Sequence, residues 1–245
     1  EKPSDFKLEQ HSFRLLKQEP FFTAISRAVT KIQSKTVPTA GVCVNPDTGY
    51  FEMHYNSEFF SQLGKTDEHG VVITDEKKIL ERREIESLGV LKHEFYHLIF
   101  EHVTDRFPFD MKDRSKKAQK LAKQWNIACD LAINSEIYKE LPWSACVPGR
   151  EYTDPATGKK TEGFKGYPMG LTAEAYFELL KKDPRSQCDD GEEGDEGEGQ
   201  EGDGEGNGQG SGNGNKQGKG KGKGGGECPD LSTTTVCGEA KVLKR

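Results

Sequence analysis

Two histidines and a glutamate lie close together in the stretch LKHEFYHLIFEH, residues 91–102. On an α-helix, positions i and i+4 lie on one face, so His93 and His97 can present both imidazoles to one cation. Glu94 lies beside them, where its carboxylate could take a proton from a water molecule held by that cation. This spacing is typical of the helix that binds zinc in zinc hydrolases.

An ordinary amphipathic helix that contains these three residues by coincidence is the alternative interpretation. The rest of the helix is strongly apolar, so the three polar side chains should lie beside buried surface; its apolar residues are Leu91, Phe95, Leu98, Ile99 and Phe100. Polar groups next to a core cost free energy unless something pairs with them. A bound metal ion would pair with them, which favours a metal site.

A zinc site also requires a third protein ligand. His102 follows His97 by five residues, which places it about 140° round the helix and facing elsewhere if the helix continues. Glu101 lies at i+4 from His97, where it could accept a hydrogen bond from an imidazole N–H. A solvated surface glutamate is the equal alternative for Glu101.

The stretch WNIACDLAIN, residues 125–134, contains a stronger candidate for the third ligand. Asn126, Asp130 and Asn134 lie at i, i+4 and i+8, and therefore follow one face of a predicted helix. Asp130 could supply an oxygen ligand, while Asn126 and Asn134 could orient it or bind the neighbouring helix. A solvated face is the alternative, and the dense apolar residues around this stripe argue against it.

Helices must carry most of these residues. Periodic apolar positions predict helices over residues 77–103 and 115–141, the second ended by Pro142. A last helix is predicted over residues 172–182, with Thr172 as its cap. The predicted fold class is therefore α+β, mostly helical with a small β-hairpin or sheet.

The N-terminal part contains both helical and strand patterns. Residues 6–35 have helical periodicity, with a break or restart at Pro20. The runs TAGVCV and YFEMHYN flank the turn sequence NPDTG and predict a hairpin. Asn56 or Ser57 is expected to cap a short helix, and HGVVIT, residues 69–74, is predicted to be extended.

The chain resembles a family of zinc metallopeptidase domains of bacteria and phages, whose members often carry a von Willebrand A-like module downstream. The resemblance rests on TAGVCV to YFEMHYNSEFF, LKHEFYHLIFEH, WNIACDLAIN and GLTAEAYFELL, and covers roughly residues 30–182. It implies a zincin-like fold, a Zn²⁺ cofactor, His93, His97 and Asp130 as ligands, and Glu94 as the catalytic base. No von Willebrand A-like module is recognised in this sequence.

These observations favour a zinc-dependent peptidase, an endopeptidase acting on a peptide or protein substrate. Tyr138, Tyr152 and Tyr167 are candidate donors to the oxyanion, none of them with supporting spacing. The alternative is a non-catalytic, metal-stabilised adaptor or assembly protein, for example a phage or AAA-associated component. Three protein ligands would leave zinc an open position, whereas Glu101 or His102 on the metal would close the site.

A low-complexity tract separates the predicted catalytic domain from the C-terminus. Residues 189–226 contain no large apolar side chain, and their ten acidic residues against four lysines give a net charge of −6, the formal charge of the whole chain. We therefore predict a metallopeptidase domain over residues 1–187, a disordered linker over residues 188–227, and a short tail or the start of a further module over residues 228–245. The linker and tail could bind a protein partner.

Charge, hydropathy and cysteine spacing limit the other functions. The remainder of the chain is balanced in charge, so nucleic-acid binding is not expected. No apolar run is long enough to span a membrane. The six cysteines lie far apart without a CxxC pair, which predicts free thiols in a reducing cytoplasm, although Cys228 and Cys237 could pair.

Overall fold

The computed structural model describes residues 6–110, 113, 115–153 and 160–186. The described part is a mixed α+β fold, mainly helical with a three-stranded sheet. Its elements in chain order are α1 (Leu8–Gln18), α2 (Pro20–Ala28), β1 (Val29–Gln33), β2 (Ala40–Val44), β3 (Phe51–Tyr55), α3 (Ser57–Gln62), α4 (Glu76–Ile99), α5 (Lys116–Ile137), β4 (Tyr152–Thr153), β5 (Lys160–Thr161), α6 (Ala173–Lys182) and a 3-10 turn (Pro184–Ser186). The predicted linker and tail, with Cys188, Cys228 and Cys237, lie outside the described residues.

The predicted N-terminal helical region ends earlier than expected. Pro20 begins α2 after a break, as predicted, but helix through residue 35 is wrong because Val29–Gln33 forms β1. β1 pairs in parallel with β3, from Val29 opposite Phe51 to Gln33 opposite Tyr55. Its β-branched residues suit a strand, and the pairing with β3 outweighs the apparent helical periodicity.

The predicted hairpin is confirmed and forms the other half of the sheet. β2 pairs antiparallel with β3, and the strand order β1-β3-β2 leaves β2 at an edge, packed against α4. In the turn, Asn45 Oδ1 accepts from the backbone N–H of Asp47 at 2.9 Å, and Gly49 has φ +74°. Val42 and Met53 face the apolar core that α4 shares. The extended stretch predicted at residues 69–74 contributes only one bridge, between Thr66 and Val72.

The helix α4 carries the histidine motif into the core. Asp75 caps its start by accepting from the backbone N–H of Lys78 at 2.9 Å. Farther along, Gly89 lies against the loop after α5, where an added Cβ would be 2.2 Å from the carbonyl oxygen of Glu140. The absence of a side chain at Gly89 therefore allows the close packing that aligns the two helices.

The helix α5 lies between α4 and α6. Its start is capped by Ser115, and it ends at Ile137, four residues before the predicted end at residue 141. Trp125 and Phe177 make an edge contact, with ring centroids 5.6 Å apart, in the apolar cluster between α5 and α6. Thr172 caps α6 as predicted, since its hydroxyl accepts from the backbone N–H of Ala175. None of the helices in the described residues is long and apolar enough to cross a membrane.

Candidate metal centre

Two helices bring His93, His97 and Asp130 together. His93 and His97 lie one turn apart on α4, and Asp130 lies on α5. Asp130 Oδ1 is 3.4 Å from His93 Nε2 and 3.1 Å from His97 Nε2, and the two Nε2 atoms are 2.9 Å apart. No more than 5% of any of the three residues is exposed. The structure therefore forms one buried cluster from two stretches more than 30 residues apart in sequence.

The donor atoms of this cluster fit a zinc ion. Zinc binds histidine nitrogen and carboxylate oxygen at about 2.0–2.2 Å, so two ligand atoms of a tetrahedral site lie about 3.3 Å apart. The three observed separations are 2.9, 3.1 and 3.4 Å. Two imidazoles and a carboxylate are also the donor set that suits a borderline metal such as zinc.

The ionisation of Asp130 suits a ligand role. Burial raises the pKa of this carboxyl, but the neighbouring imidazoles of His93 and His97 outweigh it and hold the pKa below its ordinary value. Asp130 is therefore a carboxylate at neutral pH. A buried carboxylate requires compensating positive charge, which protonated histidine or a metal ion can supply.

Asn134 fixes the ring of His93. The side-chain amide nitrogen of Asn134 donates to the carbonyl oxygen of Cys146 at 2.7 Å, which leaves its Oδ1 to accept from His93 Nδ1–H at 2.8 Å. The proton on Nδ1 leaves the lone pair of His93 on Nε2, the atom that faces Asp130 and His97. Asn134 of α5 therefore hydrogen-bonds the neighbouring helix α4, which is one of the two roles expected for it.

His102 reaches the cluster because α4 ends early. The helix was predicted to continue to residue 103, but it ends at Ile99, and Glu101 has φ +58°. This turn brings His102 Nδ1 to 3.3 Å from His97 Nδ1, on the opposite side of the His97 ring from Asp130. His102 is thus a neighbour of His97 that the sequence argument missed. No glycine or proline marks the turn, so local residue preferences do not predict it.

Among the other predicted neighbours whose side chains are described, no hydrogen bond to the three cluster residues is found. Glu101 is exposed beyond the end of α4. Asn126 is half-buried on α5, and no hydrogen bond is found between it and the three cluster residues. The hydroxyl of Tyr167 donates to Asp183 at 2.8 Å, so it is engaged near the end of α6. Tyr138 lies just after α5, and the side chain of Tyr152 is outside the described part of the structure.

Glu94 is buried beside the cluster with one oxygen unsatisfied. Only 2% of the residue is exposed, and its Oε1 has no hydrogen-bond partner among the described residues. Burial raises the pKa of Glu94 to about 7, while the neighbouring His93 and a backbone hydrogen bond from Val42 of β2 act in the opposite direction. A carboxyl with this pKa can both accept and return a proton near neutral pH.

Comparison with known protein families gives a match over most of the chain. A family model described as "Putative metallopeptidase domain" matches residues 80–239. The matched region includes α4 from Leu80 onward, α5 and all four residues of the motif and cluster, and leaves out α1 to α3 and the three-stranded sheet. Neither the curated proteins nor the solved structures contain a match to the chain.

Proposed function

Because the chain belongs to the family described as "Putative metallopeptidase domain", we propose that it is a zinc-dependent peptidase that hydrolyses internal peptide bonds at the centre formed by His93, His97 and Asp130. The observation that carries the proposal is the unsatisfied Oε1 of Glu94, buried next to three converging ligand atoms. A general base for water requires a free acceptor beside the site that holds the water.

The ligand residues would hold the ion through His93 Nε2, His97 Nε2 and an oxygen of Asp130. A bound zinc ion supplies Lewis acidity, which lowers the pKa of a water molecule to about 7 and polarises a peptide carbonyl. Through its bond to Nδ1, Asn134 leaves the lone pair of His93 on Nε2, where the ion would bind. His102 lies against the far nitrogen of His97 and restricts rotation of that ring.

Glu94 performs the proton transfers. Its carboxylate accepts a proton from water as the water oxygen forms a bond to the carbonyl carbon of the substrate. The protonated Glu94 then gives this proton to the amide nitrogen as the C–N bond breaks, which releases an amine and a carboxylic acid. In the metal-free protein burial raises the pKa of Glu94 to about 7, and a cation held beside it would favour the carboxylate, the form that accepts the proton.

The number of protein ligands distinguishes a catalytic metal site from a structural one. Among the described residues the cluster has three ligands, because Glu101 is exposed and His102 Nδ1 contacts the nitrogen of His97 that faces away from Asp130. Catalytic zinc sites have three protein ligands and an open position, whereas structural sites have four. The arrangement therefore supports a peptidase over a metal-stabilised adaptor.

The sheet supports a zincin-like arrangement around this centre. The edge strand β2 packs against α4, and the backbone of Val42 lies beside Glu94. A sheet edge beside the histidine helix is the layout expected for such a fold. We propose that the substrate is a peptide or protein, and that a protein partner binds the linker and tail.

Zinc dependence can be tested with the native protein. The chain is stripped of metal with a chelator, reloaded with one equivalent of zinc, and incubated with a peptide library whose products are read by mass spectrometry. We expect cleavage inside peptides only after reloading. A protein that binds zinc at this centre but leaves every peptide intact would support the adaptor instead.

A further inference from the structure

The β-hairpin carries a second set of metal-ligand side chains. Cys43 on β2 lies directly opposite Glu52 on β3, and His54 follows Glu52 by two residues on the same strand. Since side chains alternate between the faces of a strand, these three share the face opposite Val42 and Met53. Their ligand atoms, a sulfur, an oxygen and a nitrogen, all lie within 4.8 Å of one another.

The carboxylate at the centre of this set is held in place. The side-chain amide of Asn45 donates to Glu52 Oε1 at 2.7 Å, and Glu52 Oε2 is 3.1 Å from His54 Nε2. Asn45 also anchors the hairpin turn through its Oδ1. The same residue therefore fixes the turn and orients Glu52, so that the ligand atoms sit on a backbone that two strands and a turn hold rigid.

Burial differs between the three side chains in a way that suits a cation site. Cys43 is 3% exposed, while the side chains of Glu52 and His54 are 16% and 27% exposed. The sulfur is therefore covered, whereas Glu52 and His54 are partly open to solvent. Cys43 and Glu52 together offer two negative charges once the thiol has lost its proton, and a divalent cation would compensate both.

We propose that Cys43, Glu52 and His54 form a second binding site for a divalent transition metal of the zinc type, separate from the centre on α4 and α5. Thiolate and imidazole select zinc and its neighbours over magnesium or calcium, and a carboxylate completes a three-ligand set. Binding forms a metal–sulfur bond and releases the Cys43 thiol proton to solvent. The ion would clip β2 to β3, the hairpin whose residue Val42 lies beside Glu94.

This site does not depend on the proposed peptidase. It lies outside the region that the family model matches, residues 80–239. Its ligands include a cysteine, whereas the centre on α4 and α5 contains only nitrogen and oxygen donors. The two sites can therefore be distinguished by the light absorption of bound cobalt, because a thiolate ligand gives an intense near-ultraviolet charge-transfer band.

The test is a titration of the metal-free full chain with Co²⁺, followed by absorption and by equilibrium dialysis. We expect the charge-transfer band in the native protein and its loss in Cys43→Ser and His54→Ala, each with one equivalent less of bound cobalt. The matched control His69→Ala removes a histidine that is exposed and outside the cluster, and should keep the band. Asp130→Asn should weaken the centre on α4 and α5 and also keep the band.

Two results would overturn the proposal. A native protein without the band has no thiolate-bound cobalt, and a band that survives Cys43→Ser comes from another cysteine. If Cys43→Ser fails to fold, the variants His54→Ala and Glu52→Gln test the site instead. Both side chains are partly exposed, so we expect these variants to fold. A native protein that shows the band but cleaves no peptide would contradict the proposed peptidase function and leave this second site supported.

Discussion

Asn134 on α5 accepts a hydrogen bond from His93 on α4, with 2.8 Å between Oδ1 and Nδ1. This bond joins the two helices that supply the ligands, because α5 also carries Asp130. The same asparagine donates to the backbone of Cys146 and is fully buried. The position of the first histidine is therefore determined by a residue 41 positions away.

Replacing Asn134 should weaken metal binding without removing a ligand. In Asn134→Ala the ring of His93 loses its fixed orientation, and zinc affinity should fall about 10- to 100-fold. Competition with a chromogenic chelator measures the change. The matched control is Asn126→Ala on the same helix, where no hydrogen bond to the cluster is found. Equal affinities for the two variants would contradict the role of Asn134.

The acid stability of the metal-free protein should depend on His102. Burial, with the neighbouring His97, lowers the pKa of His102 to about 3, whereas an unfolded histidine has a pKa of about 6.5. The folded state thus binds fewer protons, so the stability from neutral His102 is complete above pH 6.5 and is lost as pH falls towards 3.

Urea denaturation at several pH values measures this dependence. In His102→Gln the free energy of unfolding should fall less steeply between pH 6.5 and 3. The slope should correspond to up to one proton fewer taken up on unfolding. An unchanged slope would mean that His102 takes up its proton over the same pH range in the folded and unfolded states, and would contradict the lowered pKa.

A side chain at Gly89 should destabilise the contact between α4 and the end of α5. The Cβ of Gly89→Ala would lie 2.2 Å from the Glu140 carbonyl oxygen, so the backbone must move. We expect a loss of about 1–3 kcal/mol in the free energy of unfolding. Thermal denaturation measures it, with Gly166→Ala as the control, because an added Cβ there meets nothing within 4 Å.

Removal of the buried Arg82 side chain from α4 should strongly destabilise the fold. It is buried, pairs with Glu86 at 2.9 Å, and donates to the carbonyl oxygens of Lys139 and Leu141 after α5. Arg82→Ala leaves Glu86 buried without this partner and should cost about 3–5 kcal/mol. The exposed pair of Lys77 with Glu81 supplies the control, since Lys77→Ala should change stability by less than about 1 kcal/mol. Similar losses in both variants would contradict the role given to Arg82.

The sequence predicted the parts of this site that depend on local geometry. A spacing of four residues places His93 and His97 on one face of any helix, and the apolar residues around Asp130 indicated that its helix is buried. The hairpin of β2 and β3 was equally predictable, because NPDTG favours a tight turn between two alternating runs.

The remaining features depend on contacts between distant residues. β1 is a strand because β3 pairs with it, and its own short sequence also fits a helix. The turn at Glu101 places a non-glycine residue at positive φ, which no local preference predicts, and it alone brings His102 to His97. The partner of Asn134 likewise depends on how α4 and α5 pack, so the sequence alone does not show whether it binds Asp130 or His93.

The most direct test of the central claim compares the native protein with Glu94→Gln. Glutamine keeps the shape of the side chain but cannot accept a proton from water. We expect one zinc ion retained at the centre on α4 and α5 in both proteins, and peptide cleavage reduced at least about 100-fold in the variant. Cleavage by Glu94→Gln at the native rate would contradict the assignment of Glu94 as the base.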